Sequence, residues 1–107
     1  MASYIVEQKD EHCSVKLTGD LTAGLVPYMQ VELKKVLDKG TTDLQFDLEN
    51  TAMLDSSGMG LLIATSNSLA RTGGKMRVVN ASPDILRLLQ SMRLVGRLNV
   101  SGSAGAL

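Results

Sequence analysis

Tryptophan is absent from this 107-residue chain, and Tyr4, Tyr28 and Phe46 are its only aromatic residues. A core with so few rings has to be aliphatic, filled mainly by Leu, Val, Ile and Met. Cysteine occurs once, as Cys13, and histidine once, as His12. A single thiol forms no intramolecular disulfide, which suits a reducing compartment, and one His with one Cys cannot assemble a zinc site of the usual kind. Cys13 alternates with Val15 and Leu17 and reads as a small buried thiol. The formal net charge is zero, which removes the basic footprint of a nucleic-acid-binding domain. No apolar run approaches the length of a bilayer span, and the first residues lack the basic-then-apolar order of a secretory signal. The expectation is a soluble, cytoplasmic protein with no membrane insertion. Acidic residues also run out along the chain: ten acids and five bases up to Asp55 give way to one acid, Asp84, and six bases beyond it. Such asymmetry leaves a polarised surface for a partner.

What is present is enough for one domain with one core. Tyr4–Gln8 reads as a short strand, Lys9–His12 as a turn, and Cys13–Thr18 as a second strand with Cys13, Val15 and Leu17 on one face. From Ala23 to Lys39 the residues Leu25, Met29, Leu33, Val36 and Leu37 recur at helical steps, with Pro27 in the first turn and Gly40 as the stop. Asp43–Leu48 alternates as a strand, and a second helix runs to about Arg71. After Thr72-Gly73-Gly74, Lys75–Asn80 is a strand, and Ser82-Pro83 opens a third helix with the stripe Ile85, Leu88, Leu89 and Met92. A last short strand is expected between Leu94 and Val100, followed by a small-residue tail. Strands alternating with helices after an opening hairpin predict an α/β fold: a mostly parallel sheet with one antiparallel edge strand, backed by helices.

The stretch Leu54-Asp55-Ser56-Ser57-Gly58-Met59-Gly60 lies where a strand passes into a helix. Two adjacent hydroxyls stand at the helix start, where Ser is a favoured cap. Gly58 and Gly60 are expected to keep the turn bare for the approach of another backbone. In sheets of this kind functional groups gather beyond the carboxyl ends of the strands, and both Asp20 and the Asp55–Gly58 segment follow strands. Catalytic equipment is missing around them. His12 belongs to the opposite end of the sheet, so Ser56 has no base, and Asp-Ser alone is no triad. Gly58-Met59-Gly60 is not a dinucleotide fingerprint, because Ile63 stands at the third glycine position and Asn80 where the ribose-binding acid belongs. No cofactor is implied and no enzyme is expected. A displayed Ser beside an Asp is instead suited to phosphorylation, which adds nearly two negative charges that a partner surface fitted to a neutral hydroxyl would have to bury. The alternative reading at this level is an ordinary helix cap.

Asp55-Ser56-Ser57-Gly58-Met59-Gly60 resembles the Asp-Ser-Ser/Thr-Gly-Leu-Gly signature of STAS-domain anti-sigma factor antagonists. The resemblance spans roughly residues 4 to 100: Leu17-Thr18-Gly19-Asp20-Leu21 is similar to the family's turn after the second strand. Gly73-Gly74-Lys75-Met76 is similar to its turn into the fourth strand, and Val79-Asn80-Ala81-Ser82-Pro83 to the strand-to-helix passage after it. Thr22 departs from the second acidic residue that many members carry. The resemblance implies a STAS domain over residues 1–100 with a short tail over 101–107. It also implies partner switching: the unphosphorylated protein binds a GHKL-type anti-sigma factor, itself a serine kinase, and a serine phosphatase resets the switch. Carried over by position, Ser56 is the phospho-acceptor, Asp55 and Gly58 shape its loop, and Asp20 lies on the kinase-binding face with Ser57 and Met59 as neighbouring contacts. The runner-up is a non-phosphorylated STAS scaffold docking onto a larger complex, such as a lipid or anion transporter, with Ser56 as a cap only.

Overall fold

The computed structural model describes residues 4–102. Eight elements follow one another: β1 (Tyr4–Lys9), β2 (His12–Leu17), α1 (Val26–Asp38), β3 (Asp43–Asp47), α2 (Ser56–Arg71), β4 (Lys75–Ala81), α3 (Pro83–Ser91) and β5 (Val100–Gly102). The sheet has the order β1-β2-β3-β4-β5. Its β1–β2 pair is antiparallel and the other three pairs are parallel, which is the predicted α/β arrangement.

The spatial order of β2 to β5 equals their chain order, so each crossover steps the same way. Right-handed crossovers then put α1, α2 and α3 on one face of the sheet. The burial pattern agrees. Cys13, Val15 and Leu17 of β2, Leu44 and Phe46 of β3, and Met76 and Val78 of β4 are buried beneath the helices. Their alternates, from Ser14 and Lys16 to Gln45 and Arg77, are half-buried or exposed on the open face. The helices close the core with Met29, Leu33 and Val36 from α1, Leu61, Leu62 and Leu69 from α2, and Ile85 and Leu89 from α3. Burying each such side chain contributes about 1.5–3 kcal/mol. Cys13 lies inside this core, and burial, with Glu32 nearby, pushes its thiol pKa up.

Several boundaries differ from those expected. The first helix begins at Val26 rather than Ala23, because Thr22 turns the chain: its carbonyl accepts from both the Leu25 and Val26 amides at 2.9 and 3.1 Å. Gly40 ends that helix at φ +85°, a conformation that glycine adopts without strain. The last strand is Val100–Gly102, not a segment within 94–100. Leu94 and Leu98 are both buried at a helical spacing, and Leu98 N–H donates to the Leu94 carbonyl at 2.9 Å. That strand crosses the boundary expected after residue 100, and the remainder of the expected tail, 103–107, lies outside the described residues. β4 extends one residue further than expected, to Ala81, with a register irregularity between Val78 and Ala81 where Asn80 takes φ +59°.

Candidate functional site

Two loops meet beyond the carboxyl ends of β2 and β3. One carries Gly19–Leu25 and the other Leu48–Asp55. They are joined through the backbone by an isolated parallel bridge between Leu21 and Leu54. Leu21 N–H donates to the Met53 carbonyl at 3.1 Å, and Asp55 N–H to the Leu21 carbonyl at 3.3 Å. Leu21 and Leu54 point into the core, so the bridge anchors both loops from below.

The two carboxylates singled out from the sequence lock the loops from above, each reaching across to the other loop. Asp20 Oδ1 accepts from the Ala52 and Met53 amides, both at 3.0 Å. Asp55 Oδ2 accepts from the Ala23 amide at 2.9 Å, while its Oδ1 accepts from the Gly58 amide at 2.8 Å. Thr51 adds a fourth side-chain tie between the loops, its hydroxyl donating to the Gly19 carbonyl at 2.9 Å. Charge-assisted bonds of this kind are among the stronger ones available to a loop. The Gly58 and Ala23 amides hold the Asp55 carboxyl below the usual carboxylate range, with partial desolvation opposing them.

This geometry corrects the expectation that a serine caps α2. Asp55 is the N-cap, in extended conformation, and Ser56 is the first helical residue. Ser56 and Ser57 are both exposed, and among the described residues no hydrogen bond involves the Ser56 hydroxyl. A second correction concerns Gly58. It does not bare the turn to a partner; it is buried against its own chain. A Cβ there would collide with the Leu21 carbonyl oxygen and stand 2.8 Å from Leu54 Cδ1. Glycine at this position lets the first turn of α2 sit directly on the Leu21–Leu54 bridge, leaving Ser56 outermost. Gly60, by contrast, is exposed with open space around it.

Asp20, Asp55, Ser56 and Ser57 thus come together on one end of the molecule, with Met59 half-buried behind them. Sequence reasoning passed over Met53, whose side chain is 58% exposed on the Asp20-pinned loop. Its signal was present: Leu54 faces inward, so the residue before it in an extended segment faces out. Ala23 and Ala52 were also missed, because they take part only through backbone amides. His12 sits at the far end of the sheet, its Nδ1 2.9 Å from Asp43 Oδ2, so it offers Ser56 no base. Among the described residues no group of three or more His, Cys, Asp or Glu side chains is placed to hold a metal ion, and no helix is long and apolar enough to cross a membrane.

Comparison with known proteins gives this site its context. The chain is similar to the anti-sigma-B factor antagonist of Staphylococcus aureus (strain NCTC 8325 / PS 47), with 29% identity over 93 residues that cover 87% of this chain and 86% of the relative. Its fold is similar to that of a putative anti-sigma factor antagonist from Thermotoga maritima, with a TM-score of 0.86 at 16% identity, covering 95% of this chain and 88% of the other. It is likewise similar to the Bacillus cell-fate determinant SpoIIAA in its phosphorylated form, with a TM-score of 0.74 at 22% identity, covering 96% and 95% of the two chains. The family model for the STAS domain matches residues 3–104, nearly the whole chain and including both loops of the site: the chain belongs to the STAS domain family.

Proposed function

We propose that the protein is an anti-sigma factor antagonist that works by partner switching. In its unphosphorylated form it binds a GHKL-type anti-sigma factor with serine kinase activity, through the end of the molecule that carries Asp20, Met53, Asp55, Ser56, Ser57 and Met59. Phosphorylation of Ser56 by that kinase releases the complex, and a serine phosphatase restores the binding form. The observation that carries the reading is the exposed Ser56 hydroxyl at the first position of α2, without a partner among the described residues because Asp55 already caps the helix.

Electrostatics explain how the switch acts at the surface. A phosphate on Ser56 would ordinarily settle on the free amides of a helix N-terminus. Here the Gly58 amide is already taken by Asp55 Oδ1, and the Ser57 amide also faces the Asp55 carboxylate. The Asp55 carboxylate repels the dianion as well. At this exposed position a partner surface matched to a hydroxyl has to desolvate nearly two charges. A cost of a few kcal/mol is enough to reverse a micromolar complex. The scaffold alternative assigned Ser56 the task of capping the helix, and that task belongs to Asp55.

The test is site-resolved mass spectrometry after incubation with ATP and lysate from the source cells, alongside binding of the isolated kinase. Phosphate is expected on Ser56 in the wild type and on no serine of this loop in Ser56→Ala. Unmodified protein is expected to bind the kinase, and Ser56→Asp to lose that binding. An unmodified Ser56, with a GHKL kinase shown to be active in the same lysate, would remove the switch and leave the scaffold. Phosphate on Ser57 instead would keep the switch and move its site by one residue.

A further inference from the structure

The sheet has two edges of unequal length. β5 spans three residues, whereas β1 spans six and pairs with β2 along its whole length without a bulge. The outer edge of β1 therefore presents a regular row of backbone donors and acceptors. Proteins often protect such an edge with a proline, a bulge, a covering segment or charged side chains; β1 has neither proline nor bulge, and its two charges, Glu7 and Lys9, are of opposite sign. Beside this edge, on the helix side of the sheet, α1 exposes two large apolar side chains, Tyr28 at 68% and Val31 at 58%. These two line one groove with Tyr4 of β1 and with Pro27, Glu32 and Lys35. A free strand edge and an apolar helix flank thus lie on the same side of the molecule, well away from Ser56 at the strand ends.

We propose that β1 and α1 form the interface of a two-fold symmetric dimer, in which β1 of one copy pairs antiparallel with β1 of a second copy. A second copy fits because an antiparallel two-fold pairing needs only one strand and satisfies the same row of backbone groups on both sides. The charges select the register. Residues directly opposite must share a face, so the two longest pairings centre on Val6 or on Glu7. Centring on Glu7 sets that carboxylate against its own copy, which is destabilising. Centring on Val6 sets Val6 against Val6, Tyr4 against Gln8 and Ile5 against Glu7, with no like charges opposed. Ile5, 50% exposed in the single chain, is then partly covered by the stem of Glu7. On the helix side, Tyr28 and Val31 of the two copies approach across the axis, and Glu32 and Lys35 supply charges of both signs there.

Sedimentation velocity of the full chain at rising concentration is expected to reach twice the mass of one chain. Tyr28→Glu combined with Val31→Glu, both at exposed positions, is expected to stay monomeric with an unchanged circular dichroism spectrum, and with a melting curve that matches the wild type at concentrations where the wild type is itself monomeric. Val6→Cys should form a disulfide-linked dimer on mild oxidation, since directly opposed Cβ atoms lie within bridging range. Ile5→Cys, which keeps Glu7 and in this register lies opposite it, should link far less, and the wild type, whose Cys13 is buried, should not link. A wild type that remains monomeric up to its solubility limit would overturn the proposal. So would a dimer that survives the double Glu variant, or one that links through Ile5→Cys as readily as through Val6→Cys.

Discussion

Asp55 performs three tasks with one side chain. Its Oδ1 caps α2, its Oδ2 holds the turn before α1, and its charge would repel a phosphate placed on Ser56 by the proposed switch. Replacing it with Asn is informative, because Asn caps a helix about as well as Asp but has a single acceptor oxygen. Asp55→Asn is expected to keep the bond to Gly58 and lose the one to Ala23, visible as faster hydrogen exchange at Ala23 and a lower urea midpoint. The same residue carries a pH dependence. Its pKa is lowered in the folded protein by the amides of Gly58 and Ala23, so its stabilising contribution is complete above the ordinary value near about 4 and is lost as pH falls through the folded value. Urea midpoints measured on the acid side of about pH 4 should fall more steeply for the wild type than for Asp55→Asn. Ser56 is the converse case. Being exposed and without side-chain bonds, Ser56→Ala should change stability by less than about 0.5 kcal/mol while abolishing phosphorylation. A loss well beyond that would mean the hydroxyl supports the fold.

At the scale of elements, the junction between β3 and α2 depends on a glycine chosen for closeness rather than flexibility. Gly58 lies against the Leu21 carbonyl and Leu54, and the first of these is backbone that cannot swing aside. Gly58→Ala is expected to cost about 2–3 kcal/mol by overpacking, measured by urea denaturation, and to weaken kinase binding by tilting the start of α2. The third helix provides a control far from the site. Ser82 accepts from the Ile85 amide at 3.2 Å and Pro83 opens the helix. Ser82→Ala should therefore cost about 1 kcal/mol and leave phosphorylation of Ser56 unchanged. Two of the element boundaries that differ from those expected have separate reasons, one long-range and one local. Ala23–Leu25 carries a helical pattern, yet the Ala23 amide is bonded to Asp55, 32 positions away. Residues 94–98 read as strand-like by composition, yet Leu94 and Leu98 are both buried at a four-residue spacing.

Across the whole molecule, all three helices cover one face of the sheet and the other face is left mainly to polar side chains, with Ile5 exposed among them. That open face groups His12, Asp43 and Arg77, where Asp43 Oδ2 lies 2.9 Å from His12 Nδ1 and 3.2 Å from an Arg77 guanidinium nitrogen. Both proposed surfaces thereby lie at the rims: the strand ends carry the proposed phosphorylation site and the β1 edge carries the proposed self-association surface.

The amino-acid sequence alone determined the α/β order of elements, because hydrophobic period and turn residues are local properties that survive without any partner. It determined the serine signature and the nearby acids for the same reason, since motif and spacing lie along the chain. Tertiary structure decided the rest. Which residue caps α2 depended on where the Asp55 carboxylate could also reach Ala23, and the burial of Gly58 depended on Leu21 arriving from a loop 37 residues earlier. The exposure of Met53 and the carboxylate clamp of Asp20 on the Ala52 and Met53 amides likewise required two loops to meet. Hydrogen bonds between distant backbone groups leave no trace in residue type, because every residue carries the same amide, and only the folded chain shows which amides are already satisfied.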